Sequence, residues 1–168
     1  MRKLNLGAGK TEIDGYENVD RKTGQEVYPL DYEDESIEEI RASHVLEHFS
    51  HRQTADVIAD WVRVLKPGGI LKIAVPDLNI ICAAVAAGSP INAEGYLMGG
   101  HVDGDDHHGA TFTAAKLGKL FYDAGLDRVR TWKDDTIDCS SLPISLNLMA
   151  HKPAAPLGTT EFSGVTFV

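Results

Sequence analysis

Cysteine is scarce in this chain: two in 168 residues, Cys82 and Cys139, with no Cys-x-x-Cys pair. That excludes a disulfide scaffold and a thiolate zinc knot, and both thiols are expected reduced and buried, Cys82 within an apolar segment. Long apolar runs are missing as well; none approaches the roughly 20 residues that a membrane-spanning helix needs. Basic clusters are also missing. Lys and Arg stand singly, the net charge is −9, and the acidic run Asp31 to Glu39 has no basic counterpart. A phosphate backbone would be repelled, so nucleic acid is not the expected partner. The first strand begins almost at residue 1, with no room for a signal peptide before it, so a cytoplasmic location without membrane association is the expectation.

What is present is a 43% apolar chain, enough for one buried core. The pattern divides it into a domain over 1–152 and a tail over 153–168 without periodicity. That tail is the candidate for a homodimer contact. Within the domain, Leu4-Asn5-Leu6 runs directly into Gly7-Ala8-Gly9. Glycine lets the backbone bend sharply and lie against a flat ligand, and the end of a first α/β strand is where nucleoside-type ligands bind. On its own the motif is equally a ligand-free turn. It gains meaning from Gly15 to Asp20, which reads as a second strand ending in a carboxylate able to accept ribose hydroxyls. The third glycine of Gly-x-Gly-x-x-Gly is absent, and Lys10 to Asp14 is too short for a long phosphate-facing helix. A dinucleotide is therefore disfavoured, whereas a nucleoside without phosphate loses nothing.

Further along, Gln25 to Leu30 is expected as a short third strand, followed by an acidic turn over Tyr32 to Ser36. Ile40 to His44 reads as the fourth strand. Ser50-His51-Arg52-Gln53 fits a capping box ahead of a helix marked by Ile58, Trp61, Val62 and Leu65 and ended by Pro67-Gly68-Gly69. Ile70 to Val75 has the composition of a central parallel strand, which completes a βαβ unit. Asp77 caps a helix over Leu78 to Ala87, stopped by Gly88. Ser89 to Ala110 has no periodicity and is long enough to expect a functional loop. Thr113 and Gly125 bracket a helix carrying Leu117, Leu120, Phe121 and Ala124. Leu126 to Trp132 and Ile144 to His151 are the last strands, expected as an antiparallel edge hairpin.

Four pieces, in this order, carry a family resemblance: Leu4-Asn5-Leu6-Gly7-Ala8-Gly9, Asn18-Val19-Asp20, His44-Val45-Leu46-Glu47-His48 and Leu65-Lys66-Pro67-Gly68-Gly69-Ile70-Leu71. The chain resembles the class I S-adenosylmethionine-dependent methyltransferases of the small type-11 kind, over residues 4 to about 77 and more weakly from Asp105 to the last strands. The resemblance implies a doubly wound, mostly parallel α/β sheet, Rossmann-like, with an antiparallel strand near the C-terminus and a shortened first crossover. It also implies S-adenosylmethionine as cofactor. Gly7 and Gly9 would approach its amino-acid part, Asp20 its ribose, and Glu26 and the Val27 amide its adenine. His44 would line the floor near the sulfonium, and Asn5 stands among the cofactor residues where many members carry an acid. Leu46 and His48 would either pack or brace the following helix or touch the ligand.

Methyl transfer is an in-line displacement at an activated carbon, so the protein has chiefly to hold nucleophile and methyl about 3 Å apart. A base is needed only for a hydroxyl or ammonium acceptor, and His44, His107 and His108 are the candidates, the last two through a loop folded over the pocket. The expected acceptor is a small molecule or a saccharide. A second reading rests on the same loop: three histidines and three aspartates between His101 and His108 have the chemistry of a metal-dependent hydrolase site. A third is a non-catalytic module that binds the cofactor alone. No metal ligand is assigned.

Overall fold

The computed structural model describes residues 1–102, 104 and 106–154; Asp103, Asp105 and 155–168 of the tail lie outside the described residues. Six strands, β1 (Lys3–Leu6), β2 (Glu17–Val19), β3 (Ile37–Ser43), β4 (Leu65–Pro76), β5 (Asp127–Thr131) and β6 (Ser145–His151), form one sheet in the order β2-β1-β3-β4-β6-β5. β1 to β4 pair in parallel, while β6 runs antiparallel to both β4 and β5. The helices are α1 (Thr54–Val64), α2 (Leu78–Ala86), α3 (Ala93–Met98) and α4 (Ala114–Asp123). This is the expected mixed α/β sheet, and no helix stands between β1 and β2. The strand order reverses at β1, between β2 and β3, and ligands of such sheets bind at the carboxyl ends beside that reversal.

One sheet face is apolar. Leu4, Leu6, Ile40, Ala42, Leu71, Ile73 and Val75 alternate along β1, β3 and β4 and meet Val57, Ile58 and Trp61 of α1 and Leu117 and Phe121 of α4. Trp61 is fully buried and its indole N–H donates to the Val27 carbonyl at 2.8 Å. The opposite face carries Glu39, Arg41 and Lys72, covered by Trp132 and by the segment that supplies Asp134, Asp138 and Ser140 to Arg41.

Several local expectations are corrected. Gln25 to Leu30 is not a strand. Pro29 has no N–H for a ladder, the Val27 carbonyl is taken by Trp61, and the Leu30 amide donates to Asp60 Oδ2 at 2.7 Å, so α1 holds the segment instead of a neighbouring strand. Ser50 does not cap α1, which begins at Thr54 after a turn; the His51 amide donates to the Gly109 carbonyl at 2.9 Å and is held out of the helix. β4 begins at Leu65, so Pro67-Gly68-Gly69 follows α1 without leaving the sheet, tied to Lys152 by two backbone hydrogen bonds. The region 89–110 contains α3, capped by Asn92. Both cysteines are exposed: α2 buries Ile81 alone and turns Cys82 outward, and Cys139 opens the short turn Cys139–Ser141. Among the described residues no helix is long and apolar enough to cross a membrane.

Candidate active site

A cavity of about 440 Å³ opens at the carboxyl ends of β1, β2 and β3, a size typical of small-molecule sites. Gly7 and Gly9 form one wall, both with positive φ, at +62° and +56°. Their reasons for being glycine differ. A Cβ on Gly7 would strike the Val45 side chain, whereas nothing stands within 4 Å of one on Gly9, whose free space belongs to the cavity. At the end of β2, Asp20 Oδ2 accepts the Gly9 amide and Oδ1 the Lys22 amide, each at 2.8 Å. The carboxylate thereby braces the glycine turn and keeps lone pairs for a diol. Val27 is buried and lines the same cavity.

Two of the residues assigned to the cofactor sit elsewhere. Asn5 is buried in β1 and its amide donates to Thr11 O and Asn18 Oδ1, both at 3.1 Å. It braces the shortened crossover and does not line the cavity. Glu26 faces a neighbouring hollow beside Arg2 and Glu17, and pairs with Arg21 at 2.9 Å. Counting back from Leu30 could not reveal that turn of the chain.

His44 follows β3 with φ +55° and lines the cavity. Its Nε2 lies 3.0 Å from Ser145 Oγ, within hydrogen-bond reach, and its Nδ1 faces Glu47 Oε1 at 3.1 Å without forming a hydrogen bond to it. Of the 101–108 segment, Val102, Asp106 and His107 line the cavity. The segment's described histidines do not converge. His101 Nε2 lies 2.9 Å from Met98 O and His107 Nδ1 3.3 Å from Gly104 O. His108 Nδ1 lies 3.0 Å from Tyr96 O, and its ring stands edge to face with His48 at 4.9 Å. Burial holds the His108 imidazole below its ordinary pKa.

The loop histidine that joins a cluster does so with Glu47 and His48, which the metal reading of the loop had not included. One ligand atom from each of Glu47, His48 and His108 lies within 4.8 Å of the others. Glu47 is almost fully buried, and neither carboxylate oxygen has a hydrogen-bond partner among the described residues. The Leu-Glu-His sequence was visible, but an acid between two helix-bracing residues gives no sign that it points inward. His48 itself lines the cavity.

The comparisons with known proteins accord with this geometry. Residues 12–73 match the sequence family described as "Methyltransferase domain". No curated protein matches the sequence. Among solved structures, a SAM-dependent methyltransferase from Methanosarcina mazei is 18% identical with a TM-score of 0.59, covering 92% of this chain and 93% of that one. One from Archaeoglobus fulgidus is 11% identical with a TM-score of 0.58, over 90% and 86%. The Burkholderia thailandensis 1,6-didemethyltoxoflavin-N1-methyltransferase, with bound S-adenosylhomocysteine, is 16% identical with a TM-score of 0.57, over 90% and 71%. At these identities the structures establish the fold. The chain thus shares its fold with solved S-adenosylmethionine-dependent methyltransferases, and over residues 12–73 its sequence resembles the methyltransferase family.

Proposed function

We propose that this chain transfers a methyl group from S-adenosylmethionine to a hydroxyl of a small molecule or saccharide. The observation that supports the cofactor's place is Asp20, hydrogen-bonded to Gly9 beside the open space over that glycine. In this reading Asp20 holds the ribose, Val27 lies against the adenine and the Gly7–Gly9 backbone takes the amino-acid part. S-adenosylmethionine supplies a methyl carbon already activated by a cationic sulfur.

The chain's own task is then to place the acceptor and remove its proton. His107 is the base: it lines the cavity, and contact of its Nδ1 with Gly104 O leaves the Nε2 lone pair available. His44, with Nε2 held at Ser145 Oγ and Nδ1 turned to the Glu47 carboxylate, orients instead of taking protons. Among the described residues the lysines and arginines of the wall are Arg21 and Lys22, beside the ribose-binding end, which favours a small acceptor over a polyanion.

Calorimetric titration with S-adenosylmethionine and S-adenosylhomocysteine is the direct test, followed by radiolabel transfer to a panel of hydroxylated small molecules and sugars. Micromolar binding of both is expected. Asp20→Ala should weaken it about 10- to 100-fold, the value of hydrogen bonds to a charged group. His107→Ala should lower turnover while leaving cofactor affinity within about twofold, as removal of a base does. Binding without transfer to any acceptor would favour a cofactor-binding module, and no binding would sink the assignment.

A further inference from the structure

We propose that Glu47, His48 and His108 form a binding site for one divalent transition-metal ion, Mn²⁺, Fe²⁺, Co²⁺ or Zn²⁺, at the acceptor side of the cavity. Two imidazoles and one carboxylate are a donor set that such ions take, and three protein ligands leave positions open for an exogenous oxygen. The three ligand atoms lie within 4.8 Å of one another. Around an ion with bonds of about 2.0 to 2.2 Å, tetrahedral or cis donors stand about 3 to 3.6 Å apart, so side-chain rotations on the order of an ångström close the set.

Three independent features of the surroundings support a bound cation. The first is Glu47, whose side chain is 1% exposed, with both oxygens lacking a hydrogen-bond partner among the described residues. A buried carboxylate without a donor is costly, and a cation held by its oxygens would remove that cost. His44 Nδ1, 3.1 Å from Glu47 Oε1, is placed to orient the carboxylate from outside the donor set. The second is the tautomer of His108. Donation from Nδ1 to the Tyr96 carbonyl at 3.0 Å leaves the lone pair on Nε2, the outer-shell arrangement common to metal-bound histidines. The third is the backbone. The Gly109 and Ala110 amides both donate to the Glu47 carbonyl, at 2.8 and 3.2 Å, and the His51 amide donates back to the Gly109 carbonyl. A Cβ on Gly109 would stand 2.7 Å from Phe49 O, so this close seam depends on glycine. It fixes His108, some 60 residues away in sequence, against the Glu47-His48 pair.

The ion's role rests on the methyl-transfer reading. His48 belongs to both the cluster and the cavity wall, so an ion there would meet an acceptor hydroxyl and make it more acidic. The oxygen–carbon bond would form as the carbon–sulfur bond breaks, both electrons of the latter leaving with sulfur as a neutral thioether. The hydroxyl proton would pass to His107.

The test titrates the full chain, stripped with a chelator, with MnCl₂ and then ZnCl₂ by calorimetry, and follows Mn²⁺ by electron paramagnetic resonance. One ion per chain with micromolar affinity is expected. His108→Ala and Glu47→Gln should each weaken binding at least about tenfold, as loss of a ligand does, with circular dichroism confirming that each variant folds. His101→Ala should leave the affinity unchanged. The site is overturned if neither ion binds up to millimolar concentration, if folded His108→Ala binds as well as wild type, or if His101→Ala weakens binding equally. Adding S-adenosylhomocysteine separates the two readings. Nucleoside binding without metal sinks the ion site alone, and metal binding without nucleoside sinks the methyl-transfer reading alone.

Discussion

Asp138 and Glu47 are both largely withdrawn from solvent, with side chains 10% and 1% exposed. Their surroundings differ in kind. Asp138 accepts from Arg41 Nη1 at 2.8 Å, from the Ser140 amide at 2.9 Å and from the Ser140 hydroxyl at 2.6 Å. Arg41 in turn donates to Asp134 and Ser140 and lies over the Trp132 ring. Burial alone would raise the Asp138 carboxyl, but Arg41 and Ser140 outweigh it and bring it to about 2. Every strong donor there is spent on the fold. Glu47 has the opposite arrangement: two buried oxygens, no hydrogen-bond partner among the described residues, and two imidazoles converging on it. A satisfied buried charge stabilises its surroundings, and an unsatisfied one at a cavity wall retains its capacity for a ligand.

The contrast breaks most visibly at Arg41. Arg41→Ala leaves Asp138 buried without its counter-charge, and should lower stability by about 3 to 5 kcal/mol in urea unfolding, the range for halving a buried pair. A loss below about 1 kcal/mol would put the Asp138 cluster in the same class as Glu47. Acid sharpens the comparison next. The folded-state pKa of Asp138 lies below its ordinary value of 3.8, at about 2. Its contribution is therefore complete above pH 4 and is lost as pH falls toward 2, by about 2 kcal/mol in all. Asp138→Asn should flatten that part of the stability profile, and an unchanged profile would remove the pair from the account. The smallest effect is expected at Glu47. In chelator-treated protein, Glu47→Gln should shift unfolding by no more than about 1 kcal/mol, in either direction, because no hydrogen bond is lost. A loss of several kcal/mol would show that Glu47 is already satisfied without an ion.

Much of this site was legible in one dimension because its parts are local. Strand, glycine turn, second strand and Asp20 lie within 17 residues, and a glycine turn followed by a strand-end acid carries its meaning in its own spacing. Thr113 and Asp77 were equally readable, since a cap acts on amides two or three residues away. Gln25 to Leu30 was misread because its backbone partners are side chains of α1, some 30 residues on. Glu26 was misplaced for a related reason: counting along a chain says nothing of which side of an irregular segment faces the cavity.

The sequence by itself determined the mixed α/β sheet, its glycine-bounded cavity and the carboxylate at the end of β2. Alternating apolarity and turn chemistry act over a few residues and leave few topologies to choose among. Only the tertiary structure decided which acids are buried with partners and which without. Arg41 meets Asp138 across 97 residues, and His108 reaches Glu47 through a backbone seam at Gly109. The physical reason is that desolvation and charge pairing depend on distance in space, and a linear chain encodes that distance only after its core has formed.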